Sequence, residues 1–132
     1  MKNMVNVSEG VFLAFHGLAL IVKNYPKRMN VKSMAEELHA SEAHIAKIFQ
    51  KLSKNGIVDS VRGPAGGFQL RKTANKINFL EIYEIIEGKV ELKGCPFGKM
   101  NCAFETCIFS NELNRISQEI YDFFKNLKLR DL

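Results

Sequence analysis

Residues 40–71 read ASEAHIAKIFQKLSKNGIVDSVRGPAGGFQLR, and this stretch decides the fold. Ser41 suits a helix N-cap, because its hydroxyl can accept a hydrogen bond from an unpaired backbone N–H, and Gly56 would end that helix. One side of the helix is apolar at helical spacing, with Ile45, Ile48, Phe49 and Leu52. The other side is cationic, with His44, Lys47, Lys51 and Lys54. The pattern predicts an amphipathic helix with one face for a core and one for a partner.

The periodicity changes after Gly56. Residues 57–61 are a β-prone run, residues 62–67 (RGPAGG) have the composition of a turn, and residues 68–70 can return as a second strand. A glycine-rich tip lets backbone approach a phosphate closely. The candidate contacts in this hairpin are Arg62, Gly63, Gly66 and Gly67. The stretch therefore predicts a small β wing beside the helix.

The excess positive charge of the chain lies in the same segment. Residues 43–72 contain six bases and one acid, a net charge of +5. The whole chain also carries +5 at pH 7, so the remaining residues sum to zero. A polyanion would be held here through counterion release. On this pattern alone, a solvated surface helix that happens to carry lysines stays open as the alternative.

Length and composition indicate a globular protein. The chain has 132 residues, of which 46% are hydrophobic and 25% charged, which suits one compact domain or one small domain with an added assembly element. No apolar run reaches about 18 residues, so we expect no membrane span. The longest apolar segment, residues 11–22, lacks the cationic start and cleavage site of a signal peptide. We expect a cytoplasmic protein.

The N-terminal part of the chain supplies two further helices. Residues 7–24 are predicted as a helix capped by Ser8, with Glu9 in the first turn, where a carboxylate favours the helix dipole. Its buried stripe is expected to contain Val11, Phe12, Phe15, Leu18, Ala19 and Val22, with His16 partly buried nearby. Residues 31–38 are predicted as a short helix. Its tight connection to the helix after Ser41 gives a helix-turn-helix, which the hairpin makes winged.

The C-terminal part of the chain is predicted to serve assembly. Asn78 would cap a helix at residues 79–87, residues 89–106 would form a loop, and a long helix would begin at Phe109 or Ser110. Its apolar stripe is Leu113, Ile116, Ile120, Phe123 or Phe124, and Leu127. We expect this stripe to pack on its twin in a symmetric dimer. The alternative is that the helix folds back on the first helix.

The expected fold class is mainly α with a small β wing. Residues 1–78 would form the winged helix-turn-helix DNA-binding domain, and residues 79–132 the cysteine loop and the dimerisation helix.

All three cysteines of the chain, Cys95, Cys102 and Cys107, lie in the predicted loop or directly after it, with gaps of six and four residues. An odd number in one cluster differs from a secreted disulfide scaffold and indicates metal or redox chemistry. Structural zinc sites usually have two-residue gaps, whereas iron–sulfur clusters accept thiolates from irregular loops. A cluster is favoured, and zinc or free, redox-reactive thiols stay open. No histidine and carboxylate pair is evident beside the thiols, so we expect no enzyme.

The chain resembles the Rrf-type winged-helix transcriptional regulators, the group that includes the iron–sulfur regulator IscR and the nitric-oxide sensor NsrR. The resemblance covers nearly the whole length. It rests on the opening Val7-Ser8-Glu9, on SVRGPAGGFQL at residues 60–70, on LEIYEIIEG at residues 80–88, and on three cysteines followed by a long helix. It implies a homodimer that places two recognition helices in successive major grooves of a DNA operator.

The resemblance also assigns contacts residue by residue. Ser41, Ala43, His44 and Lys47 would approach base edges or phosphates. Lys51 and Lys54 would be phosphate anchors, which position the protein without reading sequence. Arg62 in the wing would enter the minor groove, where arginine responds to groove width.

The resemblance further implies an iron–sulfur cluster bound by the three cysteines. In some relatives a histidine three residues beyond the last cysteine completes the ligand set, but Ser110 holds that position here. In others an acidic residue near the start of the first helix reaches across from the partner subunit. Glu9 stands at that place, although Gly10 replaces the aromatic residue commonly found next. Glu9 could equally be an ordinary helix-start carboxylate.

The missing histidine favours a [4Fe-4S] over a [2Fe-2S] cluster. The expected function is a transcriptional regulator, by family habit a repressor, whose operator binding is switched by a cluster that senses nitric oxide, redox state or iron. One alternative is a cluster-free, thiol-based redox regulator that binds DNA in the same way. Another is a regulator that works through a partner protein and retains vestigial cysteines.

Overall fold

The computed structural model describes residues 4–92, Cys95 and residues 101–131. Its regular elements are α1 (Glu9–Lys23), α2 (Val31–Leu38), α3 (Glu42–Lys54), β1 (Val58–Val61), β2 (Gly67–Leu70), α4 (Phe79–Glu87) and α5 (Glu112–Asn126). Short 3-10 turns occur at Ala74–Lys76 and Leu129–Asp131. The predicted class, mainly α with a small antiparallel wing, is confirmed.

The ends of two helices differ from the sequence prediction. The first helix begins at Glu9 rather than Val7, and the last begins at Glu112 rather than Phe109 or Ser110. Both Ser110 and Asn111 have positive φ, a backbone conformation that a continuing helix does not allow. The predicted loop around Gly94, Pro96 and Gly98 lies outside the described residues.

Side-chain caps set the starts of the four N-terminal helices. Ser8, Asn30, Ser41 and Asn78 each accept a hydrogen bond from the backbone N–H three residues later. The distances are 3.2, 2.8, 3.4 and 2.8 Å. Each cap satisfies one of the backbone donors that a helix start leaves unpaired. The predicted caps Ser8, Ser41 and Asn78 are thereby confirmed.

The core is built around α1, which packs on α2, α3 and α4. Leu18 of α1, Met34 of α2 and Phe49 of α3 are fully buried. The close approach of α1 and α3 depends on Gly17, where an added Cβ would lie 2.7 Å from two ring atoms of Phe49. The recognition helix is therefore seated directly on the central helix.

Two predictions about α1 are wrong. Phe12 was expected in the buried stripe but is 52% exposed, and His16, expected to be partly buried, is exposed. The two rings stack on each other with centroids 3.8 Å apart, and His16 Nδ1 lies 2.8 Å from the Phe12 carbonyl oxygen. Leu13 and Ile21 take buried positions that the prediction did not include. The reason is that α1 is packed by three other helices, so its buried face is wider and rotated from the expected stripe.

The wing pairs β1 with β2 in antiparallel register, from Val58 opposite Leu70 to Val61 opposite Gly67. A third segment joins it, because Met29 N donates to the Phe68 carbonyl at 3.2 Å and Phe68 N donates to the Met29 carbonyl at 2.7 Å. The Phe68 ring also packs on Phe49, with centroids 5.0 Å apart. The wing is thus attached to the helices on two sides.

The last helix packs on α4, mainly through Phe124, whose ring lies 4.5 Å from that of Phe79. None of its residues is fully buried, and Ile116 and Phe123 are 43% and 61% exposed. Beyond α5, Leu129 is completely buried, and its N–H donates to the Ile77 carbonyl at 2.9 Å. The chain end therefore returns to the main core and its central helix, while part of the α5 stripe stays exposed. Within the described residues no helix is long and apolar enough to cross a membrane.

Candidate nucleic-acid interface and cysteine segment

Helix α3 presents the two faces that its sequence predicts. Ile45, Ile48, Phe49 and Leu52 are buried, whereas Ser41, Ala43, Lys47, Lys51 and Lys54 are exposed and His44 is half-buried. Among the described residues, none of the three lysines forms an ion pair with an acid. Their charges are therefore available to a phosphate backbone. Ser41 is exposed although its oxygen caps the helix, so its hydroxyl proton remains free to donate.

The tip of the wing is closed by a hydrogen bond from Gly66 N to the Gly63 carbonyl at 2.9 Å. Arg62 and Gly63 are exposed, while Gly66 and Gly67 are half-buried. A Cβ on Gly66 would lie 2.7 Å from the Gly63 oxygen, and one on Gly67 would lie 2.7 Å from the Met29 oxygen. These two glycines are therefore required by the wing itself. Gly63 has open space around it and is free to approach a ligand.

Two bases of the cationic segment are engaged within the protein. Lys72 Nζ lies 2.6 Å from Glu81 Oε1 in a partly buried ion pair that ties the end of the wing to α4. Arg71 lies 3.8 Å from Asp59 across the exposed face of the wing. Among the described residues, the bases of this segment that form no ion pair are the three lysines of α3 and Arg62. The predicted interface is therefore concentrated on α3 and the wing tip.

Sequence reasoning missed Arg28, which touches the wing from the segment between α1 and α2. Its Nε donates to Gln69 Oε1 at 3.2 Å, and its Nη1 donates to the Ala65 carbonyl at 3.4 Å. No local pattern indicates this contact, because it depends on pairing between residues that are 37 and 41 positions apart.

The start of α1 lies against the recognition helix. Glu9 Oε1 is 3.9 Å from His44 Nδ1, so the predicted cluster ligand and a predicted DNA contact are neighbours in one subunit. A Cβ on Gly10 would lie 3.2 Å from both Ile48 Cδ1 and Ile86 Cγ2. The glycine that departs from the family pattern thus fits a narrow gap between α3 and α4. Ser8 Oγ donates to Glu87, which fixes the same turn to the end of α4.

The three cysteines are free, with Cys95 and Cys107 half-buried and Cys102 exposed. Among the described residues, which include all three thiols, no group of three His, Cys, Asp or Glu side chains is placed to hold a metal ion. The Glu9 carboxylate is 73% exposed and therefore accessible to another molecule. The set has the soft donors that an iron–sulfur cluster needs, but one subunit does not assemble them.

The fold and the exposed cationic face define a winged helix-turn-helix regulator. A family model described as an iron-dependent transcriptional regulator, Rrf2, matches residues 7–132. The chain belongs to the Rrf2 family of transcriptional regulators, and these are not enzymes.

Individual relatives agree with this assignment. The transcriptional regulator IscR of Erwinia tasmaniensis is 29% identical over 126 residues, which cover 95% of this chain and 76% of that protein. Among solved structures, CymR, the global cysteine regulator of B. subtilis, has a TM-score of 0.77 at 22% identity and covers 97% of this chain and 95% of its own. IscR of T. potens has a TM-score of 0.76 at 21% identity, with coverages of 97% and 85%.

Proposed function

We propose that the protein is a homodimeric, sequence-specific DNA-binding repressor whose operator affinity is switched through its cysteine loop. The observation that carries the DNA-reading part is the exposed face of α3, whose three lysines have no acidic partner within the part of the chain that the structure describes. Arg62 in the wing is exposed as well. Ser41, Ala43, His44 and Lys47 lie in the first turns of α3, where a helix in the major groove meets base edges. Lys51 and Lys54 follow as phosphate anchors.

The wing completes the reading surface. Arg62 and Gly63 are exposed at its tip, so a guanidinium and a close backbone can both reach the groove beside the one that α3 enters. Gly66 and Gly67 contribute by shaping this tip. Sequence-specific reading is tested with a duplex that the full-length protein selects from a random-sequence pool. Equal affinity for the selected duplex and for a scrambled one at physiological salt would refute sequence-specific reading.

The homodimer is supported by the exposed part of the α5 stripe. Ile116 and Phe123 lie two turns apart on one helix face and remain largely open to solvent in a single chain. A second copy related by a two-fold axis would cover both stripes at once. Two copies would also bring two recognition helices to one operator.

We propose that a [4Fe-4S] cluster is held by Cys95, Cys102 and Cys107, with Glu9 of the partner subunit as the oxygen ligand. The three free thiols, of which Cys102 is exposed, and the exposed Glu9 carboxylate support this set. The cluster would supply a centre that reacts with nitric oxide or oxygen, or that is lost when iron is scarce. On the protein side, Glu9 would exchange its position beside His44 for one in the loop of the other subunit.

The cluster proposal is tested by anaerobic purification. The expected preparation is brown, with iron and sulfide in about four equivalents per cluster, and operator affinity should change when nitric oxide is added. A colourless, iron-free protein would exclude the cluster. Equal operator affinity before and after cluster removal would exclude the switch while leaving DNA binding intact. Glu9→Ala tests the oxygen ligand separately from the thiol ligands. This variant keeps all three cysteines and should have an altered cluster yield.

The second candidate is a thiol-based redox regulator without a cluster. The exposed Cys102 and the half-buried Cys95 and Cys107, all free, favour it. Titration with hydrogen peroxide would then change operator affinity in metal-free protein. If hydrogen peroxide still changes operator affinity in a Cys102→Ser variant, the Cys102 thiol is not the sensor.

A further inference from the structure

Arg28 reaches two different parts of the wing. Its Nε donates to the side chain of Gln69 on β2 at 3.2 Å, and its Nη1 donates to the carbonyl of Ala65 in the turn at 3.4 Å. The next residue, Met29, pairs with Phe68 through two backbone hydrogen bonds. The segment before α2 therefore contacts the hairpin both along β2 and at its tip.

These hydrogen bonds matter because the hairpin is small. Two strands of four residues each are marginal by themselves, so the orientation of the wing depends on what it is attached to. The Met29 bridge and the contact of Phe68 with Phe49 hold its base. Among the described residues, Arg28 is the side chain outside the hairpin that hydrogen-bonds to the turn carrying Arg62.

We propose that Arg28 is a positioning residue for the wing. It holds the tip at a fixed angle to α3, and it contributes to operator affinity through this geometry and not as a phosphate ligand. The inference rests on the proposed function, in which Arg62 contacts DNA. The guanidinium suits this task because its planar fork has donors that point in two directions, whereas an ammonium is a single point charge.

The rival explanation is a direct contact between Arg28 and a phosphate, since the side chain is exposed and cationic. Lysine distinguishes the two. It retains the charge that a phosphate needs but lacks the fork that joins Gln69 to Ala65. Arg28→Lys should therefore behave like Arg28→Ala if the residue positions the wing, and like the wild type if it binds a phosphate.

The first test measures binding of full-length variants to the duplex selected by the wild-type protein. We expect Arg28→Ala and Arg28→Lys each to weaken binding about threefold to tenfold, the range for losing one or two exposed hydrogen bonds. Lys27→Ala, which removes the same charge one residue earlier, is the control and should stay within about twofold of the wild type. Wild-type affinity of Arg28→Lys would overturn the inference.

The second test separates this inference from the role of the wing. In a double-mutant cycle, Arg62→Ala should cost less in the Arg28→Ala background than in the wild type, because the arginine is then no longer held in place. If Arg62→Ala alone has no effect, the proposed DNA contact of the wing fails. Hydrogen exchange at the Phe68 amide, measured without DNA, should be faster in Arg28→Ala; unchanged exchange would overturn the positioning role.

Discussion

At the scale of single residues, two glycines of the wing differ in the space that surrounds them. Gly63 and Gly67 both have positive φ, 111° and 144°. Only Gly67 also lies against backbone, since its missing Cβ would come 2.7 Å from the Met29 oxygen and 2.8 Å from the Met29 carbonyl carbon. The two positions therefore share a conformational requirement and differ in available space.

Gly67→Ala should be the more damaging of two matched changes. We expect it to lower the free energy of unfolding by about 2–4 kcal/mol, because a strained φ adds to a clash with backbone that cannot move aside. Gly63→Ala, which adds the same methyl group in open space, should cost about 1–2 kcal/mol. Urea denaturation followed by circular dichroism measures both. Equal losses would show that the Met29 bridge is not a fixed contact.

The lysines of α3 make a second prediction at this scale. Lys51→Ala should weaken binding to specific and non-specific duplexes alike and should reduce the slope of log K against log salt by about 1. The control is Lys76→Ala, which removes an exposed charge from the 3-10 turn and should leave the slope unchanged. A loss confined to the selected duplex would assign Lys51 to base reading instead.

At the scale of elements, α5 differs from the other helices in how much of its apolar surface stays open. Phe124 faces Phe79 and Tyr83, whereas Ile116 and Phe123 lie farther round the helix and remain exposed. The outer side carries the carboxylates of Glu112 and Glu119, which flank Arg115 and raise the pKa of its guanidinium. The helix thus has an inner apolar face, an exposed apolar edge and a charged outer face.

Ile116→Glu should shift the protein towards monomer if this edge is the dimer contact. A carboxylate placed on each side of a two-fold interface is both desolvated and repelled by its copy. Asn114→Glu introduces the same acid about half a helical turn away and should leave the association constant unchanged. Sedimentation velocity over a concentration series distinguishes the variants. A monomeric wild type at all concentrations would refute the dimer itself.

At the scale of the whole molecule, the segment after α5 is joined to the start of α4 and to the core. Leu129 is fully buried, its N–H donates to Ile77, and Phe79 N donates to the Leu127 carbonyl at 2.8 Å. The segment after the proposed dimerisation helix therefore stabilises the domain that would read DNA. A structural change in α5 can therefore reach α1 and α4 directly through packed side chains.

Leu129→Ala tests this connection. We expect it to lower the free energy of unfolding of the whole protein by about 2–5 kcal/mol, since a fully buried leucine leaves a cavity. The same substitution at Leu92, which is 47% exposed, should cost less than about 0.5 kcal/mol. Chemical denaturation monitored at two wavelengths would show a single shifted transition. A separate, earlier transition would mean that the C-terminal segment unfolds independently.

Local patterns were sufficient to predict much of this fold. The caps at Ser8, Ser41 and Asn78, the two-faced helix α3 and the glycine-rich wing each depend on residues within one element. Helix α1 was harder because the segment VFLAFHGLALIV is apolar on almost every side, so its periodicity could not tell Phe12 from Leu13. Only the arrangement of the surrounding helices decides which of them is buried.

The parts of the candidate site that lie within one element could be predicted from the sequence. The cationic face of α3 follows directly from helical spacing. The contacts of Arg28 with the wing and of Glu9 with His44 join residues far apart in the chain, and no sequence period encodes them. The ligand set proposed for the cysteine loop would include Glu9 of a second subunit, a contact that no pattern within one chain can indicate.

The bridge between Met29 and Phe68 also limits how this protein can change over evolutionary time. Surface connections usually accept inserted residues, but the segment between α1 and α2 also forms a β-bridge with β2. One extra residue there would reverse the alternation of side chains, turn Met29 outward and move Arg28 off the hairpin. The residue types of this segment can therefore change during evolution, whereas its number of residues cannot. Descendants with altered operators should therefore vary the residues of α3 and keep this spacing.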